Sequence, residues 1–190
     1  MLRDRGGLAA IAQRGFSLTE VAITLVIIAI LVATGIPSFT EWLQNTQIRT
    51  ATESIMSGLQ AARTEAVRRN ANAVFTLTNP TAVGGTGWTV TLASTGEVLR
   101  SAAAGEGSRT AIVTPTPVDA YSVTFTGLGR TPDPPNDINA DGSVLLAQID
   151  ADSSVLAPAD SRNLRILISA GGQMRMCDPN VAAGTDPRAC

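Results

Sequence analysis

Residues 14–36 read Arg14-Gly15-Phe16-Ser17-Leu18-Thr19-Glu20 followed by VAITLVIIAILVATGI. From Phe16 to Ile36 there are 21 residues and one charge, Glu20. As a helix this stretch is about 30 Å long at about 1.5 Å per residue, the thickness of a bilayer's hydrocarbon. Arg3, Arg5 and Arg14 precede it, and cations on that flank favour a cytoplasmic N-terminus. Three readings compete. A secretory signal peptide would be removed after the apolar run, but Thr34-Gly35-Ile36-Pro37 after Ala33 is a poor small-residue cleavage pattern. A plain transmembrane anchor leaves Glu20 unexplained, because an ionisable group at this depth is costly without a partner.

The third reading explains Glu20. Arg14-Gly15-Phe16-Ser17-Leu18-Thr19-Glu20 resembles the prepilin-peptidase site of type IV pilins and type II secretion pseudopilins. The resemblance implies a cut between Gly15 and Phe16, N-methylation of Phe16, and a Glu at the fifth mature position, here Glu20. The new ammonium on Phe16 and the carboxylate of Glu20 on a neighbouring subunit would neutralise each other. In low dielectric an unpaired charge of either sign is disfavoured, so the pair would help set subunit register.

Outward from this segment the helical pattern is interrupted by Pro37, where pilins commonly carry Pro; a proline removes a backbone donor and kinks or breaks a helix. It resumes with Ile48, Ala51, Ile55, Leu59, Ala62 and Ala66, spaced to share one face, and is predicted to end near Asn70. Arg63, Arg68 and Arg69 read as a solvated face. After Asn70 the texture turns to alternating Thr, Val and Gly. Strands are expected at 74–78, 88–92, 121–126, 144–149, 164–169 and 173–177, with 96–99 extending the second. The fold class is α+β: a long N-terminal helix, transmembrane in its first half, on an antiparallel β-rich head. The expected division is a leader (1–15), a transmembrane helix half (16–37), an amphipathic helix half (38–70) and a periplasmic head (71–190).

Gln60-Ala61-Ala62-Arg63-Thr64-Glu65-Ala66-Val67-Arg68-Arg69-Asn70, Phe125-Thr126-Gly127-Leu128-Gly129-Arg130 and the Cys-Asp-Pro…Asp-Pro-Arg-Ala-Cys ending resemble blocks of the FimT/FimU minor pilins and GspH pseudopilins. This implies a subunit that helps prime or assemble a type IV pilus or a type II secretion pseudopilus. Its partners would be other minor pilins or pseudopilins, the major subunit, the prepilin peptidase and the bacterial inner membrane. It would cross that membrane once with a periplasmic head and, after assembly, lie in the filament or at its tip.

Composition narrows the chemistry. There is no His, which excludes His-based acid–base catalysis. Cys177 and Cys190 are the only cysteines: near the end of an exported chain they suggest one disulfide, the alternative being two unpaired thiols. No nucleophile–base pair and no phosphate loop is evident, so the chain does not read as an enzyme. Asp137, Asn139 and Asp141, followed by Gly142, have the spacing of the first half of a calcium loop. The twelfth position is Gln148 rather than the bidentate Glu, and a polar inter-strand turn explains the same residues. No other cofactor is implied.

DNA is the rival partner. The FimT branch resembles a receptor for natural transformation that reads DNA with C-terminal arginines, and Arg162, Arg165, Arg175 and Arg188 are the candidates here. Gln173 stands where that branch favours Arg, and Asp160, Asp178 and Asp186 sit among the four. The net charge is −2, and removing a leader with Arg3, Arg5, Arg14 and Asp4 (net +2) leaves −4. Non-specific DNA affinity comes from neutralising phosphates, so an acidic chain starts at a disadvantage.

Overall fold

The computed structural model describes residues 15–131, 146–182, 184 and 186–190. The chain divides into two units, the first ending at Phe39 and the second spanning Thr40–Cys190. Helix α1, Leu18–Arg69, contributes to both. In the first unit every described residue is exposed; its apolar side chains bury nothing within the chain.

In the second unit α1 becomes amphipathic. Ile48, Ala51, Ile55, Leu59, Ala62 and Ala66 are fully buried, the stripe that the three-and-four spacing predicts. The helix stops where the sequence expects it to. Asn70 takes a left-handed φ of 47°. Its N–H bonds Val67 O at 3.2 Å, and Ala71 N–H bonds Ala66 O at 3.1 Å. These are the two bonds of a Schellman cap, which satisfies carbonyls the helix end would otherwise orphan.

Among the described residues eight strands follow: β1 (Ala73–Thr78), β2 (Gly87–Leu92), β3 (Val98–Ala102), β4 (Ala111–Thr116), β5 (Ser122–Phe125), β6 (Gln148–Ser153), β7 (Leu164–Ile168) and β8 (Met174–Cys177). They form two four-stranded sheets, ordered β3-β2-β1-β5 and β4-β6-β7-β8, and every ladder is antiparallel. The strand expected at 144–149 starts later and runs Gln148–Ser153, set by its pairing with β4 and β7; two further differences from the sequence reading have physical causes. Residues 96–99 do not extend β2: Gly96, at φ 71°, donates to Leu92 O at 2.8 Å, and the chain turns back as β3. The strand β4 was hidden by Pro115. It is an edge strand, with Pro115 in register with Ile149, and an edge tolerates a residue that has no donor.

Alternation along the strands sorts side chains between core and surface. Val123, Phe75 and Val90 lie in one row across the first sheet. Ile149 and Ile166 lie in one row of the second. These residues and the α1 stripe from Ile55 to Ala66 form a single buried cluster. The helix approaches the first sheet closely at Gly58. A Cβ there would lie 2.7 Å from the Trp88 ring and 2.8 Å from the Phe75 ring. The two rings stack with centroids 5.9 Å apart, and Trp88 Nε1–H donates to Ser54 Oγ at 3.0 Å.

Two effects oppose each other at Gly58. Alanine is preferred over glycine in a helix by about 1 kcal/mol, whereas overpacking a core costs about 1–3 kcal/mol. Both rings are locked by packing and one by a hydrogen bond, so overpacking wins. Gly58→Ala is expected to destabilise the mature protein by about 1–2 kcal/mol net in urea unfolding; an unchanged or raised midpoint would refute the tight helix–sheet contact.

Candidate functional site

At the start of α1 the sequence builds its own cap. Ser17 Oγ accepts Glu20 N–H at 3.2 Å, the first half of a capping box. Glu20 therefore sits in the first turn, at the positive end of the helix dipole. That location is worth about 0.3–1 kcal/mol to a carboxylate, less than the roughly 2.5–3.5 kcal/mol an acidic residue costs at the bilayer centre. Among the described residues the Glu20 carboxylate has no partner. Phe16 is 81% exposed. A Cβ added at Gly15 meets no atom within 4 Å, so the described fold does not itself require glycine there. Pro37 lies inside the helix, and α1 is long and apolar enough to cross a membrane.

The second candidate region is the C-terminus. Cys177 and Cys190 form a disulfide with Cα atoms 5.1 Å apart. The loop it closes folds back and has further holds. Arg175 Nη2 donates to Ala189 O at 2.5 Å and to Pro187 O at 3.3 Å, and Asp178 N–H donates to Arg188 O at 2.7 Å. The sequence shows only the cysteines; the role of Arg175 needs the fold, which puts it beside the returning tail.

The four arginines weighed for DNA have different occupations. Arg165 pairs with Asp150 at 2.6 Å across the β6–β7 ladder, a partner that the sequence reading did not anticipate. Arg188 pairs with Asp186 at 2.7 Å. Arg175 holds the tail. Arg162 donates its backbone N–H to Asn45 Oδ1 at 2.8 Å. The hydrogen bond from the Arg188 guanidinium lowers the Asp186 carboxyl to about 2. Asp137, Asn139 and Asp141 lie outside the described residues. Among the described residues no group of three His, Cys, Asp or Glu side chains could hold a metal ion.

Residues 51–172 match the family of type II transport protein GspH, and residues 11–36 match the prokaryotic N-terminal methylation motif. The chain belongs to the GspH family. Members are minor pilins or pseudopilins, structural subunits with a role in assembling a type IV pilus or the type II secretion pseudopilus. The apolar helix and the family together indicate a membrane anchor bearing a periplasmic head. The fold is similar to that of the type IV minor pilin FimU of Pseudomonas aeruginosa strain PAO1. The match to one crystal form has a TM-score of 0.51 at 17% identity and covers 70% of this chain and 92% of that one. A second crystal form matches with a TM-score of 0.49 at 18% identity, covering 70% and 97%. Comparison with curated protein sequences finds no match.

Two predictions concern the tail. The disulfide restrains the unfolded chain by about 3 kcal/mol, but Arg175 and Asp178 also hold the loop. Reduction alone is expected to leave β7 and β8 protected in hydrogen exchange and to loosen the tail partly. Reduction in Arg175→Gln frees it fully; equal release in both proteins would remove Arg175 from the tether. Asp186 has a folded pKa below its ordinary 3.8, so its contribution is present above about 4 and is lost as pH falls through about 2. An NMR titration of its carboxyl should show a midpoint near 2, moving up toward the ordinary value in Arg188→Ala.

Proposed function

We infer that the chain is made as a precursor, cut between Gly15 and Phe16 and N-methylated on Phe16, and that the resulting subunit uses its apolar helix twice. The helix first holds the subunit in the inner membrane. It then packs among neighbouring helices, where Glu20 neutralises the Phe16 ammonium of an adjacent subunit. The observation that carries this reading is the wholly exposed apolar run with one acidic group in its first turn, beside a glycine for which the fold has no use. A dipole contribution of about 0.3–1 kcal/mol does not by itself offset burial of a lone charge among apolar helices, and the ammonium that cleavage creates on Phe16 would supply the counter-charge.

Pro37 supplies a point at which the helix bends, since its missing N–H leaves one carbonyl of the preceding turn without its usual donor. The head, held on the periplasmic side, contacts other minor subunits and the major subunit. The DNA-receptor alternative gains no support from the arginine geometry, because three of the four guanidiniums already serve carboxylates or the tail.

Mass spectrometry of the membrane-extracted protein is expected to give an N-terminus at Phe16 with a methyl group. Gly15→Leu should retain the leader. An intact leader in the unmodified sequence, or an N-terminus after Ala33, would sink the processing scheme. Glu20→Ala should still insert in the membrane but be depleted from sheared filament fractions. Wild-type incorporation would remove Glu20 from assembly.

A further inference from the structure

The arginines of the second unit differ in what their guanidiniums meet. Arg49, Arg68, Arg69, Arg165 and Arg188 each have a carboxylate partner within 4 Å. Arg63 is half-buried and ordered, yet its partner is a neutral backbone oxygen: Nε–H donates to Gly129 O at 3.0 Å. Among the described residues its two terminal nitrogens have no partner. A carbonyl orients a guanidinium without compensating its charge, and an ordered, partly desolvated cation is a ready acceptor site for an anion.

The surroundings keep that fork in place. Gly129 takes a left-handed φ of 71°, and an added Cβ would lie 3.0 Å from Val67 and 3.3 Å from Arg63 Nε. Gly172, at φ 73°, packs directly on the backbone of Gly129 and Arg130. Thr131 N–H donates to Ala170 O at 3.2 Å. The turn after β5 and the turn between β7 and β8 are thus fastened together beside α1. Between them and the helix lies an open groove of about 510 Å³, lined by Gln60, Arg63, Thr64, Gln173 and Met174. The side-chain amides of Gln60 and Gln173 also have no partner among the described residues. The groove therefore offers one fixed cationic fork flanked by two neutral amides, over the half-buried thioether of Met174.

We propose that this groove is a docking site for a carboxylate-bearing segment of a neighbouring filament subunit, with Arg63 gripping the carboxylate through its terminal nitrogens and Gln60 and Gln173 binding the adjoining peptide groups. The proposal rests on the filament-subunit reading and names the chemistry of one of its contacts. Charge argues for carboxylate over nucleic acid. A polyphosphate backbone is held by many cations at once, whereas this groove has one, in a head of net charge −3 from residue 38 onward, with 11 Arg against 14 acidic residues. A single fork matches a single carboxylate in bidentate geometry.

The test is NMR of the mature chain in detergent with arginine and glutamine side chains labelled, titrated with a short Glu-rich peptide and, separately, with inorganic phosphate and a short DNA duplex. The peptide is expected to shift the Arg63 terminal N–H and the Gln60 and Gln173 amide resonances in a saturable manner, more tightly than phosphate or DNA. Arg63→Gln should weaken binding about tenfold, the effect expected from losing a charge-assisted fork. Because Arg63→Gln also gives up the bond to Gly129, exposed-surface variants Gln60→Ala and Gln173→Ala provide a second readout that does not depend on folding, each weakening the peptide severalfold. Tighter saturation by DNA or phosphate at the same resonances would overturn the assignment, as would a peptide response that leaves Arg63 unmoved or survives in all three variants. Since the N-terminus at Phe16 is read independently by mass spectrometry, failure of the groove leaves the processing scheme standing, and the reverse also holds.

Discussion

The approach of α1 to the first sheet at Gly58 sets the geometry of the second unit. With no Cβ in the way, the rings of Phe75 and Trp88 lie against the helix backbone, and Trp88 is held there through Ser54. The buried stripe from Ile55 to Ala66 then meets the inward rows of both sheets. At the end of that stripe the Schellman cap stops the helix where the turn after β5 packs: a Cβ at Gly127 would lie 2.7 Å from Asn70 Oδ1. Helix length, sheet position and the placing of that turn are thus coupled through glycines, each at a point where backbone meets something that cannot move.

Much of this was legible in the residues. The apolar run, the buried stripe, the helix end and most strands follow from periodicity and turn chemistry. What was not legible depends on contacts between distant residues. β4 carries two prolines in its vicinity, Pro115 within it and Pro117 just after, and only its position at the sheet edge makes a strand acceptable there. Arg63 reads as solvated because charged side chains on a helix usually face water; its bond to Gly129, 66 residues away, has no local signature. Asp150 and Arg165 are fifteen residues apart and meet only through the register of β6 on β7.

The same contrast runs through the site. Gly15, Phe16 and Glu20 are conspicuous in sequence because the fold gives them so little to do. A glycine with open space around it, an exposed aromatic residue and a carboxylate with no partner among the described residues are hard to explain by the chain's own stability. Gly35 joins them: it lies inside a helix, where glycine costs about 1 kcal/mol against alanine, and a Cβ there would meet nothing within 4 Å. By contrast Gly58, Gly127 and Gly172 are fully explained by internal packing. The glycines separate the surfaces that serve this chain from those that serve something outside it.

The treatment of the sheet edges bears on solubility. A filament-family subunit would be endangered if its strands could pair freely, since an open edge templates pairing with any passing strand. The described edges are blunted in different ways. β4 presents Pro115; β3 joins its neighbour through an irregular register and carries Arg100. Ser122 O of β5 accepts Leu146 N–H, and the end of β8 is met by the returning tail at Asp178 and Ala189. The described edges thus offer little to a passing strand, and the head can stand at high local density without seeding amyloid-like stacks.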